Sequence, residues 1–262
     1  MATRLELDDT HKRIIGFLQL FLRPDLHRDI GSAHANNNTL AIYDAHLEHL
    51  EFEVRLCKPS EGLSAAGVDT NIPEAQWQRM LGAVRTMLGR DRDEAPSVQI
   101  VQRFGRTNEN ITSVHALDPR EAPVYRMKRK LGTLDLVAKG TPFDVRIAAS
   151  LELPVRNAPS DTLVTERLIK RRWSFVFFDT LRCDFTQLET TSHKNALVRY
   201  EHQVEIELLN AAESVREGVC TRTAWSQIDH LVRVLAEAAD TERCGDVQYS
   251  IIRQRLNTRV AV

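Results

Sequence analysis

Leu50-Glu51-Phe52-Glu53-Val54-Arg55-Leu56 and Tyr200-Glu201-His202-Gln203-Val204-Glu205-Ile206-Glu207-Leu208 set acidic residues at alternate positions within an apolar pattern. In an extended strand successive side chains point to opposite faces, so Glu51, Glu53 and Arg55 share one face and Leu50, Phe52, Val54 and Leu56 the other. The later stretch repeats this. Glu201, Gln203, Glu205 and Glu207 fall on one face; Tyr200, Val204, Ile206 and Leu208, with His202 among them, fall on the other. Side chains two apart on a strand are roughly 7 Å apart and neighbouring strands about 4.8 Å, so two such strands can offer carboxylates to one hard divalent cation. Mg²⁺ or Mn²⁺ suits oxygen ligands of this kind.

Basic residues follow the same parity rule elsewhere. Arg126, Lys128 and Lys130 share a face, as do Lys170, Arg172 and Ser174, and then Arg182, Asp184 and Thr186. Between them, Phe143, Val145, Ile147, Ala149 and Leu151 alternate with Asp144, Arg146, Ala148, Ser150 and Glu152. Carboxylates alone would repel a phosphate. With a metal and basic strands opposite, phosphate oxygens can be bound and the charge of a phosphoryl-transfer transition state stabilised. A glutamate left free of the metal can orient an attacking water.

The elements that must position these residues can be read from periodicity. Residues 11–22 read as a helix ended by Pro24, with Asp9 or Thr10 as cap. A second helix starts at Pro73, with Trp77, Met80, Leu81, Val84, Met87 and Leu88 on one stripe, and a third carries Trp225, Ile228, Leu231, Val232 and Leu235. Strands are expected around 50–56, 97–104, 111–116, 122–138, 143–153, 165–178, 180–188 and 197–208, separated by turn clusters such as Lys139-Gly140-Thr141-Pro142. Alternation alone fits the solvent faces of an antiparallel sandwich. Three apolar helix stripes, however, need apolar sheet to cover, and the charges sort into acidic strands and basic strands. A closed barrel with helices outside and a charged tunnel inside satisfies both, and closure removes exposed edges. The fold class expected is α+β, mainly β.

Composition bounds the possibilities. The chain has 262 residues, 42% hydrophobic and 27% charged, with 35 basic against 36 acidic side chains, so bulk electrostatic adhesion to nucleic acid or membrane is excluded and an anionic substrate must be met locally. Cys57, Cys183, Cys220 and Cys244 form no CxxC pair, which argues against a zinc knuckle and for buried thiols in a reducing compartment. The acidic N-terminus lacks an apolar signal region and no long uncharged run occurs, so an intracellular, nuclear or cytoplasmic address is expected.

Taken in order, these pieces resemble the triphosphate tunnel metalloenzyme superfamily, specifically the fungal and protozoal RNA 5′-triphosphatases that act first in mRNA capping. The resemblance runs through roughly residues 45 to 210. Leu50 to Leu56 looks like the family's first glutamate motif and Val204-Glu205-Ile206-Glu207-Leu208 like its last; Phe143-Asp144-Val145-Arg146-Ile147 with Leu151-Glu152-Leu153-Pro154-Val155 resembles its central strand. Lys170-Arg171-Arg172-Trp173-Ser174-Phe175 resembles its KxR strand and Arg182-Cys183-Asp184-Phe185-Thr186 its RxDxT strand. The resemblance implies an eight-stranded antiparallel tunnel with Glu51, Glu53 and Glu207 as metal ligands, Glu205 as water-orienting base or as a support behind those ligands, and Glu152 as the central acid, Glu166 being its rival. It implies Arg126, Lys128, Lys130, Arg146, Lys170, Arg172 and Arg182 as phosphate-binding residues, either Lys128 or Lys130 being the key cation of its strand, with Arg55, Asp184 and Thr186 in support. Where fungal members carry a third glutamate in the last motif this chain has Gln203, with Glu201 on the same face.

The implied activity is Mg²⁺- or Mn²⁺-dependent hydrolysis of the γ-phosphate from triphosphate-ended RNA, with a guanylyltransferase as possible partner. A tunnel enzyme acting on tripolyphosphate, a nucleoside triphosphate or thiamine triphosphate is the alternative. A non-enzymatic anion-binding barrel is the rival of another class, disfavoured because an anion binder gains nothing from buried carboxylates without a metal. A single tunnel domain is expected over 1–262: an N-terminal helical segment (1–45), the main barrel motifs (46–210), and a C-terminal helix and tail (211–262).

Overall fold

The computed structural model describes residues 9–22, 47–59, 68–89, 95–104, 110–115, 120–156, 164–192, 197–211, 221–240 and 247–256. The strands are β1 (Leu50–Cys57), β2 (Ser97–Phe104), β3 (Asn110–His115), β4 (Val124–Lys139), β5 (Asp144–Val155), β6 (Val164–Phe177), β7 (Leu181–Ser192), β8 (Val198–Leu208) and β9 (Gln248–Leu256). The helices are α1 (Asp9–Leu22), α2 (Glu74–Met87) and α3 (Thr221–Ala239), with a short 3₁₀ turn at Leu47–His49 before β1.

The strand order is β3-β2-β6-β7-β8-β1-β5-β4-β9, and a further β3–β4 pairing closes the first eight into a barrel. Every pairing is antiparallel. One edge of β4 is divided between two partners. Its first part, Val124 to Lys128, pairs with β3, and its later part, Gly132 to Lys139, pairs with β9 outside the barrel. The strand β9 lies in the segment expected to be only a helix and tail. It is held by buried Val247 and Tyr249, and the Tyr249 hydroxyl donates to Asp229 of α3 at 2.8 Å.

The hydrophobic core lies outside the barrel wall. Phe52, Val54 and Leu56 of β1, Val145, Ile147, Ala149 and Leu151 of β5, Cys183 and Phe185 of β7, and Val204 and Ile206 of β8 are buried together. They pack beneath Ile14, Phe17 and Leu18 of α1, Trp77, Met80, Leu81 and Val84 of α2, and Trp225, Ile228, Leu231, Val232 and Leu235 of α3. Burying each such side chain contributes about 1.5–3 kcal/mol, so the helical jacket supplies the main stabilisation of a barrel whose interior is polar. The α2 stripe is shorter than its sequence suggests. Met87 and Leu88, expected on it, are 54% and 37% exposed, and the helix ends there, with Leu88 as its C-cap.

A β-bulge keeps β4 correctly faced. Register shifts between Lys130 and Gly132, leaving Leu131 as the extra residue. Lys128 and Lys130 before it and Thr133 after it all line the lumen, while Leu131, Leu134 and Leu136 are buried in the outer core. Because strand faces alternate every residue, an unbulged strand would have carried Leu134 and Leu136 into the lumen. Among the cysteines, Cys57 and Cys183 are free and buried as expected, with burial pushing the Cys57 thiol up to about 12. Cys220 and Cys244 lie outside the described residues.

Candidate active site

All the expected site residues but two meet in a cavity of about 1000 Å³, lined among others by Glu51, Glu53, Arg55, Arg126, Lys128, Lys130, Arg146, Glu152, Lys170, Arg172, Arg182, Glu205 and Glu207. The exception is the pair Asp184 and Thr186, which sits behind the lining and holds it. The acidic strands are neighbours: β1 pairs β8 with Glu53 opposite Glu207 and Arg55 opposite Glu205. The two stretches from which the sequence reading starts therefore form one continuous acidic wall.

Cations from the surrounding strands bind this wall. Lys128 Nζ contacts Oε2 of both Glu51 and Glu53, the latter at 3.3 Å, and Ser150 Oγ donates to Glu51 at 3.0 Å. An Arg55 guanidinium nitrogen bridges Glu53 at 3.1 Å and Glu205 at 2.8 Å. Arg182 donates to Glu207, and its Nε reaches Asp184 Oδ2 at 3.1 Å. Arg172 contacts the same Asp184 oxygen at 3.1 Å and lies 3.6 Å from Glu205, while its Nε donates to Thr186 Oγ1 at 3.3 Å. Asp184 is buried, and its Oδ1 has no hydrogen-bond partner among the described residues. Asp184 and Thr186 thus fix the directions of two arginines.

Burial and charge divide the carboxylates. Burial pushes Glu205 up, but Arg55, Arg172, Lys170 and Lys128 outweigh it and hold the carboxyl at about 2, firmly ionised. Burial pushes Glu207 up to about 7, against Arg182 and with Glu51 and Asp184 adding to the rise. Glu53 is likewise raised by burial despite Arg55 and Lys128. On the basic side, Lys170 is lowered by burial and by Arg172, Arg55 and Arg103, with Glu205 opposing; Lys130 is lowered by burial and by Arg146, Arg55 and Lys128.

The remaining expected residues spread along the lumen. Arg126 pairs with Glu152 at 3.0 Å, both partly exposed at one rim. Glu166, the rival central acid, pairs with Arg103 at 2.9 Å and lines a second, smaller cavity instead. Glu201 and Gln203 line that cavity too, with the Gln203 amide donating to Glu201 at 3.2 Å. Arg146 is held bidentately by Asp135 at 2.6 and 3.0 Å. Asp135 and Arg103 are contributors that the sequence pattern does not mark, and Ser150, which it places on a polar strand face, gains its role from Glu51. Leu134-Asp135-Leu136 carried a usable signal, an acid alone between two aliphatic residues, but the bulge at Leu131 hides its phase.

Among the described residues no three acidic, histidine or cysteine side chains converge closely enough, as placed, to hold a metal ion. Glu51, Glu53 and Glu207 share a wall, with the Lys128 and Arg182 nitrogens lying against them. The donor set nonetheless suits a hard cation. It is all carboxylate oxygen, and the raised position of Glu53 and Glu207 marks buried carboxylates short of compensating positive charge.

Residues 118–241 match the family model described as mRNA capping enzyme, beta chain. That span contains the basic strands, Glu152, Glu205 and Glu207, and leaves Glu51, Glu53 and Arg55 outside it. No curated protein matches the chain. Among solved structures, the RNA triphosphatase Pct1 of S. pombe is similar at 19% identity and a TM-score of 0.64, covering 88% of this chain and 93% of that one. Pct1 in complex with the Spt5 CTD is similar at 19% identity and a TM-score of 0.60, covering 88% and 94%. Residues 118–241 carry the pattern of the mRNA capping enzyme, beta chain family, and the chain around them has the tunnel fold of an RNA triphosphatase.

Proposed function

We propose that this chain is a divalent-metal-dependent RNA 5′-triphosphatase that removes the γ-phosphate from triphosphate-ended RNA, the first step of mRNA capping. The observation that carries the reading is a closed barrel whose lumen sets Glu51, Glu53, Glu205 and Glu207 on one wall against Lys128, Lys170, Arg172 and Arg182. Glu51, Glu53 and Glu207 would hold the cation, Mg²⁺ or Mn²⁺, which supplies Lewis-acid neutralisation of charge on a γ-phosphate oxygen. Lys128 and Arg182 then exchange carboxylate oxygens for phosphate oxygens, joining Lys170 and Arg172 around the transferring group.

Glu205 accepts a hydrogen bond from the attacking water and aligns it. A carboxyl held at about 2 is a weak base, and a loose phosphoryl-transfer transition state asks mainly for alignment rather than early proton removal. The water oxygen bonds to the γ-phosphorus, the bond to the β-bridging oxygen breaks, and a diphosphate-ended RNA and inorganic phosphate result. Arg126, Lys130 and Arg146 would offer further cations to phosphate oxygens within the lumen. Such an activity places the protein where nascent transcripts are capped, in the nucleus, with a guanylyltransferase acting next on the diphosphate end.

The test compares phosphate release from triphosphate-ended RNA, tripolyphosphate and ATP with Mg²⁺ or Mn²⁺, with Glu53→Ala as control. Release from the RNA end that needs the metal and vanishes in Glu53→Ala is expected. No metal-dependent release from any substrate would overturn the enzyme reading, and tripolyphosphate cleaved far faster than RNA would move the activity to a small substrate.

A further inference from the structure

A second cavity of about 340 Å³ opens where β7 and β8 approach their shared hairpin, and it is continuous with the main lumen through Arg55, Arg103, Leu168, Lys170 and Glu205, which line both. Its lining, like that of the main chamber, is mostly charged and polar. At the junction Val101, Leu168 and Leu188 are buried together on inward faces of β2, β6 and β7 with Val114 against them; Val101 and Val114 line the main chamber, Leu188 the second cavity and Leu168 both. An aliphatic ledge inside a phosphate tunnel gains nothing from phosphate oxygens, which would lose hydration there. Its exposed part is a narrow aliphatic edge that the carbon atoms of a ribose can pass.

Beyond the ledge the lining turns polar again. Thr190 and the Glu201–Gln203 pair offer a hydroxyl, a carboxylate and an amide, a donor and acceptor set that fits ribose hydroxyls. Past them, at the mouth, Arg199 lines the cavity and is exposed, and it has no ion pair or hydrogen bond with any described side chain. Arg199 and Glu205 lie six residues apart on the inward face of β8, a span of about 20 Å along the strand, which a triphosphate followed by one nucleoside fills.

We propose that this second cavity seats the first nucleoside of the RNA and that Arg199 binds the phosphodiester following it, so the RNA chain leaves the tunnel by this mouth. The proposal rests on the RNA triphosphatase reading and extends it from the phosphates to the nucleoside. It makes Arg199 a determinant of RNA preference, since tripolyphosphate ends before reaching it. Losing one charged contact to phosphate corresponds to about tenfold in kcat/KM and removes about one from the slope of log affinity against log salt.

The experiment measures kcat/KM of Arg199→Ala and of Thr190→Trp, which fills the cavity, on a short triphosphate-ended RNA and on tripolyphosphate. Expected is a fall of about tenfold on RNA for Arg199→Ala, carried by KM and with a flatter salt dependence, and a larger fall for Thr190→Trp, both variants keeping the wild-type rate on tripolyphosphate. Unchanged RNA kinetics in both variants, or equal losses on RNA and tripolyphosphate, overturns the proposal while leaving the tunnel reading standing. A wild-type protein inactive on both substrates instead removes the underlying reading.

Discussion

The acidic wall is held by cations that the chemistry needs elsewhere, and this sharing sets the behaviour of single residues. Lys128 touches both Glu51 and Glu53, so Lys128→Met should tighten Mn²⁺ binding, read by calorimetry, while lowering turnover because a phosphate ligand is lost. Looser Mn²⁺ binding in that variant would show that Lys128 does not compete with the metal. Arg172→Ala removes a donor whose partners are Asp184, Thr186 and Glu205, and kcat should drop by about 10²–10³-fold, the loss seen when one charge-stabilising donor is deleted from a dry site. Glu207→Gln should abolish metal-dependent release with the melting temperature nearly intact; a collapsed melting curve would assign Glu207 to the fold rather than to the chemistry. The four site glutamates were legible because alternation in two short strands is a local signal. Asp135 and Arg103 were not: the bulge at Leu131 hides the phase of Asp135 and so its pairing with Arg146, and Arg103 acquires meaning only from Glu166, 63 residues away.

At the scale of elements, α2 is fastened to the back of the acidic strand by Trp77. Its indole donates to the Gln203 carbonyl at 3.1 Å, and its ring meets Trp173, Phe185 and His202. Trp77→Ala should cost about 3–5 kcal/mol in urea unfolding, the range for emptying a buried aromatic site. His202 lies buried beside that indole, and burial lowers its pKa, with Glu74 opposing. A base lowered on folding leaves the unfolded chain holding more protons, so this contribution is complete above the ordinary histidine value of about 6.5 and is lost as pH falls below it. The slope of stability between about pH 7 and 5.5 should flatten in His202→Phe, and an unaltered slope would exclude His202 as its source. Helix placement followed from the 3.6-residue period, whereas β9 escaped notice. Its evidence is chiefly Val247 and Tyr249 flanking polar residues, and its pairing needs the free half of one edge of β4, which only the closed barrel reveals.

For the whole molecule, strand parity separates folding from chemistry: outward residues meet the helices and inward residues meet solvent and substrate. A ligand spanning the lumen touches most of the barrel wall, so Mg²⁺ with non-hydrolysable triphosphate should raise the melting temperature, by the equivalent of about 2.7 kcal/mol at a hundredfold excess over Kd. No rise with a ligand that inhibits turnover would place the inhibitor outside the lumen. The tunnel architecture was legible in the sequence as charge sorted by strand, but the division of its interior by an aliphatic ledge was not. Val101, Leu168 and Leu188 read individually as ordinary strand residues. The extra residue at Leu131 bears on heredity as much as on geometry. Losing that one codon would leave both faces of β4 as they are, because Lys130 and Gly132 already oppose Ser150 and Ala149 in succession; losing the codon of Thr133 just beyond it would instead send Leu134 and Leu136 into the water-filled bore and Asp135 into the grease. An in-frame deletion of a single threonine after the bulge would thus act as a null allele, while deletion of the bulged leucine itself would cost one buried side chain and keep the tunnel.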